Sequence, residues 1–281
     1  MPEHTTRRRF LSTAAVVGAA TIAGCTGGSD DEETTDEMGE MTTDEQMGTT
    51  EDAMTTEDAM SETTTESMSA SFTVRVENVS EEDTLETMDG GKPVPLSPTA
   101  YAVHEGENPL FSRGEAASDH LEALAEDGTA GGLAEAAAMD AETADAAAVP
   151  VGGDEPGPIG PGEAYEFTVE ASDDHRLSLA TMFVQSNDLF YAPGPDGIPL
   201  FEDGEAAHGD VTDAIQLWDA GTEQNQAPGE GGDQAPRQME AGAGDAEDET
   251  VRSLMDVEDG YDYPATGDVI RVTVSPEMMD G

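Results

Sequence analysis

The chain has 281 residues and a formal net charge of −53, from 63 acidic against 10 basic residues. So acidic a balance excludes nucleic-acid binding, which needs a basic face to displace phosphate counterions. It also strains a compact fold at ordinary ionic strength, whereas at about 1 M salt the Debye length falls to roughly 3 Å and the repulsion is screened. Because the acidity runs along the whole chain, it implies adaptation to molar salt, as on a haloarchaeal cell surface.

In chain order, the first segment is a targeting signal. Thr6-Arg7-Arg8-Arg9-Phe10-Leu11 reads as a twin-arginine export signal centred on Arg7 and Arg8. The apolar stretch that follows is too short to span about 30 Å of hydrocarbon. It ends in Ile22-Ala23-Gly24-Cys25, a lipobox. Cleavage before Cys25 removes residues 1–24 and leaves a thiol that takes a lipid. The expected location is the outer face of the cytoplasmic membrane, held there by the lipid on Cys25. As the only cysteine, Cys25 leaves the rest of the chain without a disulfide framework and without the thiolate of a blue-copper site.

Residues 25–70 follow as a low-complexity linker. Beyond Cys25 they hold no aromatic or branched aliphatic residue, and Thr49-Thr50-Glu51-Asp52-Ala53-Met54 repeats at once as Thr55-Thr56-Glu57-Asp58-Ala59-Met60. Such a segment cannot bury enough apolar surface to offset chain entropy, so it reads as a disordered acidic stalk. Its methionines are thioethers that could take Cu(I), although their spacing follows the drifting repeat.

Residues 71–281 hold the folded domain. Alternation at period two marks half-buried strands over 71–79 and 268–274, and further strands fall at 99–104, 163–169, 177–184 and 214–218. Between them, residues 115–126 place Leu121, Leu124 and Ala125 on one helical face, with Gly128 to end the helix, and a second alanine-rich helix falls near 132–139. The pair reads as a cap on the sandwich edge, with a lid over a pocket as the rival. The pattern is mainly β: an antiparallel β-sandwich with a small helical insertion. Asn78-Val79-Ser80 is a sequon that makes Asn78 a possible N-glycosylation site in an exported protein. Asp245-Ala246-Glu247-Asp248-Glu249 reads as solvated charge.

One segment rises above this acidic background. Leu217-Trp218-Asp219-Ala220-Gly221-Thr222-Glu223 holds the only tryptophan, then two carboxylates around a glycine. An apolar anchor beside acidic oxygens on a kinked loop suits a calcium-binding rim. Upstream, Phe183-Val184-Gln185-Ser186-Asn187-Asp188-Leu189-Phe190 is an apolar strand running into Ser-Asn-Asp. Tyr191, Phe190, Ile198 and Phe201 lie in the Gly/Pro-rich stretch between, either exposed as a contact patch or buried as staples. Gln224, Asn225, Gln226 and Gln234 offer amides to a polar ligand or order their loop, and Arg237 is expected to pair with a carboxylate.

On Ser186-Asn187-Asp188-Leu189-Phe190 and Trp218-Asp219-Ala220-Gly221-Thr222-Glu223, the chain resembles the spondin N-terminal domain family in its prokaryotic form. Asn225-Gln226-Ala227-Pro228-Gly229 and Gln234-Ala235-Pro236-Arg237-Gln238 extend the resemblance, which covers residues 71–275 and is dense from 176 to 240. It implies a C2-like sandwich that binds Ca2+ through Asp188, Asp219 and Glu223. Glu223 stands where the family has Asp, Leu189 where it has an aromatic residue, and the domain lacks cysteines. The function so implied is a lipid-anchored calcium-binding module for adhesion or extracellular ligand binding, with a surface protein or glycan as its unknown partner. The alternatives are a lipoprotein presenting a small solute to a transporter, or a hydrolase. Enzymatic chemistry is not expected: His104, His120, His175 and His208 are scattered, and no His-Glu-x-x-His, nucleophile elbow or P-loop occurs.

Overall fold

The computed structural model describes residues 68–277. Arg7, Arg8, Cys25 and nearly all of the stalk lie outside the described residues. The main strands are β1 (Ser69–Asn78), β2 (Thr99–His104), β3 (Thr143–Ala147), β4 (Ala164–Ser172), β5 (Arg176–Met182), β6 (Leu189–Pro193), β7 (Ile215–Asp219), β8 (Arg252–Ser253) and β9 (Ile270–Glu277). Two helices, α1 (Asp119–Asp127) and α2 (Ala130–Ala137), lie between β2 and β3. β1 begins at Ser69, two residues before the boundary expected from the sequence.

The strands form two antiparallel sheets. The smaller runs β9-β1-β4, with Gly209–Asp210 on the outer edge of β9. The larger runs β8-β7-β6-β5-β2-β3. β1 shows why it forms: every second residue is buried, Phe72, Val74 and Val76 fully, and Thr73, Arg75 and Glu77 between them are not. This period-two pattern turns one face of the smaller sheet onto the core and leaves the other to water.

The larger sheet is covered on both faces. From β2, Tyr101 and Val103 join Phe72, Val74, Leu177, Leu179 and Tyr191 in the core between the sheets. Ala100 and Ala102, with Ala180 and Ala192, turn the other way and pack with Leu121, Leu124, Leu133 and Ala134 of the helices. Alanine on that face lets the helices sit close, and burial of both faces explains why all six residues of β2 are buried. The helical insertion is therefore a third layer on the outer face of the larger sheet, not an edge cap and not a lid. Helix α1 starts at Ser118, whose hydroxyl accepts from Leu121 N, and ends at Gly128 with φ of 71°.

Strand β6 corrects the reading of residues 190 and 191 as loop. It is a central strand, paired with β5 and β7, and Phe190 and Tyr191 are fully buried. Phe190 and Trp218 lie under the helical layer, where Phe111 meets both edge-on at 5.2 and 5.0 Å. These rings are core, which removes them from any contact patch. Among the described residues, no helix is long and apolar enough to cross a membrane.

Candidate functional site

A tight hairpin carries β5 into β6. Ser186 Oγ donates to Phe183 O at 2.6 Å and accepts from Leu189 N at 3.1 Å, closing the turn and placing Asp188 at the head of β6. Leu189 pairs directly with Asp219 at the end of β7. The register therefore brings Asp188 and Asp219 to the same rim of the larger sheet. The chain then bends at Gly221, with φ of 72°. A Cβ there would lie 2.9 Å from Glu249 C and 3.0 Å from Thr250 O, so both the backbone angle and the space require glycine.

The bend aims backbone donors at Asp188. Its Oδ2 accepts from Thr222 N at 2.8 Å, Glu223 N at 3.1 Å and Thr222 Oγ1 at 3.3 Å. Its Oδ1 is buried and has no hydrogen-bond partner. Asp219 repeats the arrangement. Its Oδ2 accepts from Asn225 Nδ2 at 2.7 Å, and its Oδ1 is likewise buried without a hydrogen bond. Arg252 Nη2 lies 3.3 Å from that Oδ1, an ion pair outside hydrogen-bond geometry. Both aspartates are fully buried. Burial pushes the Asp188 carboxyl up, the nearby Asp219 charge adds to it, and the backbone donors oppose it. Burial also raises Asp219 despite Arg252.

Glu223 reaches the rim by its backbone but turns its carboxylate to other partners. Oε2 accepts from Asn187 Nδ2 at 3.2 Å and Oε1 from Gly244 N at 2.8 Å. It is buried, and burial raises its pKa. Of the three residues singled out as calcium ligands, Asp188 and Asp219 thus come to one rim, Asp188 with an unpartnered oxygen and Asp219 with one that meets only Arg252, while the Glu223 oxygens are both engaged. Among the described residues, no group of three or more His, Cys, Asp or Glu is gathered so as to hold a metal ion.

Three further residues complete the site. Glu126, in the last turn of α1, is 5% exposed, and its carboxyl rises to about 8. Burial is the main cause, and Glu223, Glu122 and Asp188 add repulsion against a hydrogen bond from Thr222. Glu247 comes from the run read as solvated charge. The run is exposed as expected, apart from half-buried Glu247, and it also pairs by backbone with the bend: Gln224 N donates to Asp245 O at 2.8 Å, Glu247 N to Thr222 O at 2.7 Å and Glu249 N to Gly221 O at 3.1 Å. Arg252, directly opposite Asp219 across β7 and β8, reaches Glu247 Oε2 at 3.0 Å and Glu249 Oε2 at 3.6 Å. Arg252 is the only basic residue between Arg237 and Arg271, a signal visible in the sequence.

The remaining candidates have structural partners. The sequon residue Asn78 is fully buried; its Nδ2 donates to Val94 O and Ile159 O, and its Oδ1 accepts from Ser80 N and Oγ. A glycan has no access to that nitrogen in this fold, so Asn78 is a core tie. Arg237 bonds Gly231 O, Gln185 Oε1 and Gln234 Oε1, and its guanidinium holds carbonyl groups of the loop where a carboxylate was expected. Gln226 and Asp233 bond each other reciprocally, so these amides order the loop. His208 lies in a groove with Phe201 and Glu205, away from the rim, and His175 faces Glu105 at 3.4 Å.

No curated protein matches the chain. Residues 92–231 match the family model Spondin_N, a span that contains the hairpin, β6, β7 and the bend at Gly221. Through these residues the chain belongs to the Spondin_N family, a family of extracellular modules.

Proposed function

We propose that the domain is a non-catalytic, calcium-binding module of the cell surface, used for adhesion or ligand binding. The observation that carries this reading is Asp188 Oδ1, a buried carboxylate oxygen without a hydrogen-bond partner, beside the repelling carboxylate of Asp219, whose own Oδ1 meets only the Arg252 ion pair. Buried carboxylate oxygens without donors are costly unless a cation meets them. Their hardness suits Ca2+, which takes six to eight oxygens. Asp188 and Asp219 would hold the ion, with loop carbonyls or water supplying the remaining oxygens. Bound calcium would tie the hairpin before β6 to the bend after β7 and stiffen this rim for contact with a surface protein or glycan. Anchoring through a lipid on Cys25, after export directed by Arg7 and Arg8, would place the rim outside the membrane.

The test is thermal unfolding of the full chain in molar KCl, with calcium or with a chelator. Binding to the folded state alone stabilises by about 2.7 kcal/mol at a hundredfold excess over Kd. The reading expects a calcium-dependent rise in Tm that Asp188→Asn abolishes. An unchanged Tm across millimolar calcium contradicts it.

A further inference from the structure

We propose that Arg252 is a built-in cation that competes for Asp219 and thereby makes the rim selective for divalent over monovalent ions. This inference rests on the calcium reading of Asp188 and Asp219. Arg252 and Glu247 both lie beyond the family match at 92–231.

The geometry is that of a cation with two sets of partners. Strand register sets Arg252 opposite Asp219, and its Nη2 stands 3.3 Å from Asp219 Oδ1. The same Nη2 lies 3.0 Å from Glu247 Oε2, and Nη1 lies 3.6 Å from Glu249 Oε2. Glu249 is more than half exposed and Asp219 not at all. A guanidinium can therefore leave Asp219 for Glu247 and Glu249 without losing all its partners. The buried end gives it no hydrogen bond in exchange, since Asp219 Oδ1 and Arg252 Nε are both unbonded. Arg252 thus offsets the charge of Asp219 while holding it weakly.

In a chain of net charge −53, which needs molar salt for screening, monovalent cations are the abundant competitor for any carboxylate pair. A tethered guanidinium carries the same single charge and is always present, so K+ gains little by replacing it. A divalent ion carries twice the charge and can displace it onto the outer carboxylates. Arg252 lowers calcium affinity and, in return, protects the site from salt.

The experiment is calorimetric calcium titration of the full chain and of Arg252→Gln and Asp188→Asn, at the lowest KCl at which each stays folded and at saturating KCl. Arg252→Gln is expected to bind calcium about tenfold tighter than the parent at the lower KCl, where charge is less screened. Its affinity should also fall more steeply as KCl rises. Equal or weaker binding by Arg252→Gln, with binding lost in Asp188→Asn, overturns this inference and leaves the calcium site standing. Absence of binding in both the parent and Arg252→Gln overturns both. Should Arg252→Gln fail to fold, Arg252→Met carries the comparison: it removes the charge and keeps an apolar stem of similar reach. It is expected to bind calcium tighter than the parent, and equal or weaker binding overturns the inference.

Discussion

Replacing Glu126 by glutamine should stabilise the domain, and only at neutral to alkaline pH. Glu126 sits at the C-terminal end of α1, 5% exposed, near Glu122, Glu223 and Asp188. The negative end of the helix dipole adds to their repulsion. Its carboxyl rises from an ordinary 4.5 to about 8. The folded state therefore keeps a proton that the unfolded chain has released. The stability this contributes is complete below about pH 4.5, declines as pH rises, and is gone above about pH 8. Each tenfold change in proton affinity is worth about 1.4 kcal/mol, so the whole window is worth roughly 5 kcal/mol at most. Glutamine keeps the shape and an amide for Thr222 but never ionises. Guanidinium chloride unfolding of parent and Glu126→Gln at pH 5, 6.5 and 8.5 should show near-equal stability at pH 5. The gap should widen to about 2 kcal/mol or more in favour of the variant at pH 8.5. A gap that does not change with pH, or a variant less stable at pH 8.5, refutes the reasoning.

Asn78→Ala would remove the side-chain donor of Val94 O and Ile159 O, which keep Ser80 Oγ and Leu96 N, and leave Ser80 N unbonded inside the core. At about 1–3 kcal/mol for a buried group left unbonded, it should lower stability by about that much in the same denaturant assay. Mass spectrometry of the exported protein should find no glycan on Asn78. Gly221→Ala forces a side chain into a left-handed position against Glu249 and Thr250. It should lower the unfolding free energy by about 1–3 kcal/mol and weaken calcium binding, both measurable on one preparation. Leu124→Ala removes a fully buried side chain between α1 and the alanine face of the larger sheet, and a loss of about 2–5 kcal/mol should follow on denaturant unfolding.

Much of the fold was legible because its signals are local. The alternation in β1 and β9, the full run of β2, the helix stop at Gly128 and the pair Trp218 and Gly221 each follow from a few neighbouring residues. Strand β6 was hidden because Pro193 and Gly194 end it at once, so its apolar run looked like the start of a loop. The position of the helices over the sheet was also out of reach, since Ala100, Ala102, Ala180 and Ala192 meet only through strand register. At the rim, Asp188 and Asp219 were found by their apolar neighbours. Glu126, Glu247 and Glu249 were not, because 63 acidic residues make any one carboxylate inconspicuous. What distinguishes them is long-range: the pairing of residues 245–249 with the bend and the burial of the end of α1. Glu223, in sequence the natural third ligand, gives its oxygens to Asn187 and Gly244, partners that only the fold brings to it.

The most direct test of the central claim uses the single tryptophan, which adjoins Asp219 in sequence. Terbium replaces calcium at oxygen sites and luminesces when a nearby indole transfers energy to it. In molar KCl, excitation of Trp218 should give a terbium signal that saturates, is displaced by calcium, and vanishes in the Asp188→Asn/Asp219→Asn double variant. A signal that persists in that variant, or that never saturates, would contradict a cation held between Asp188 and Asp219.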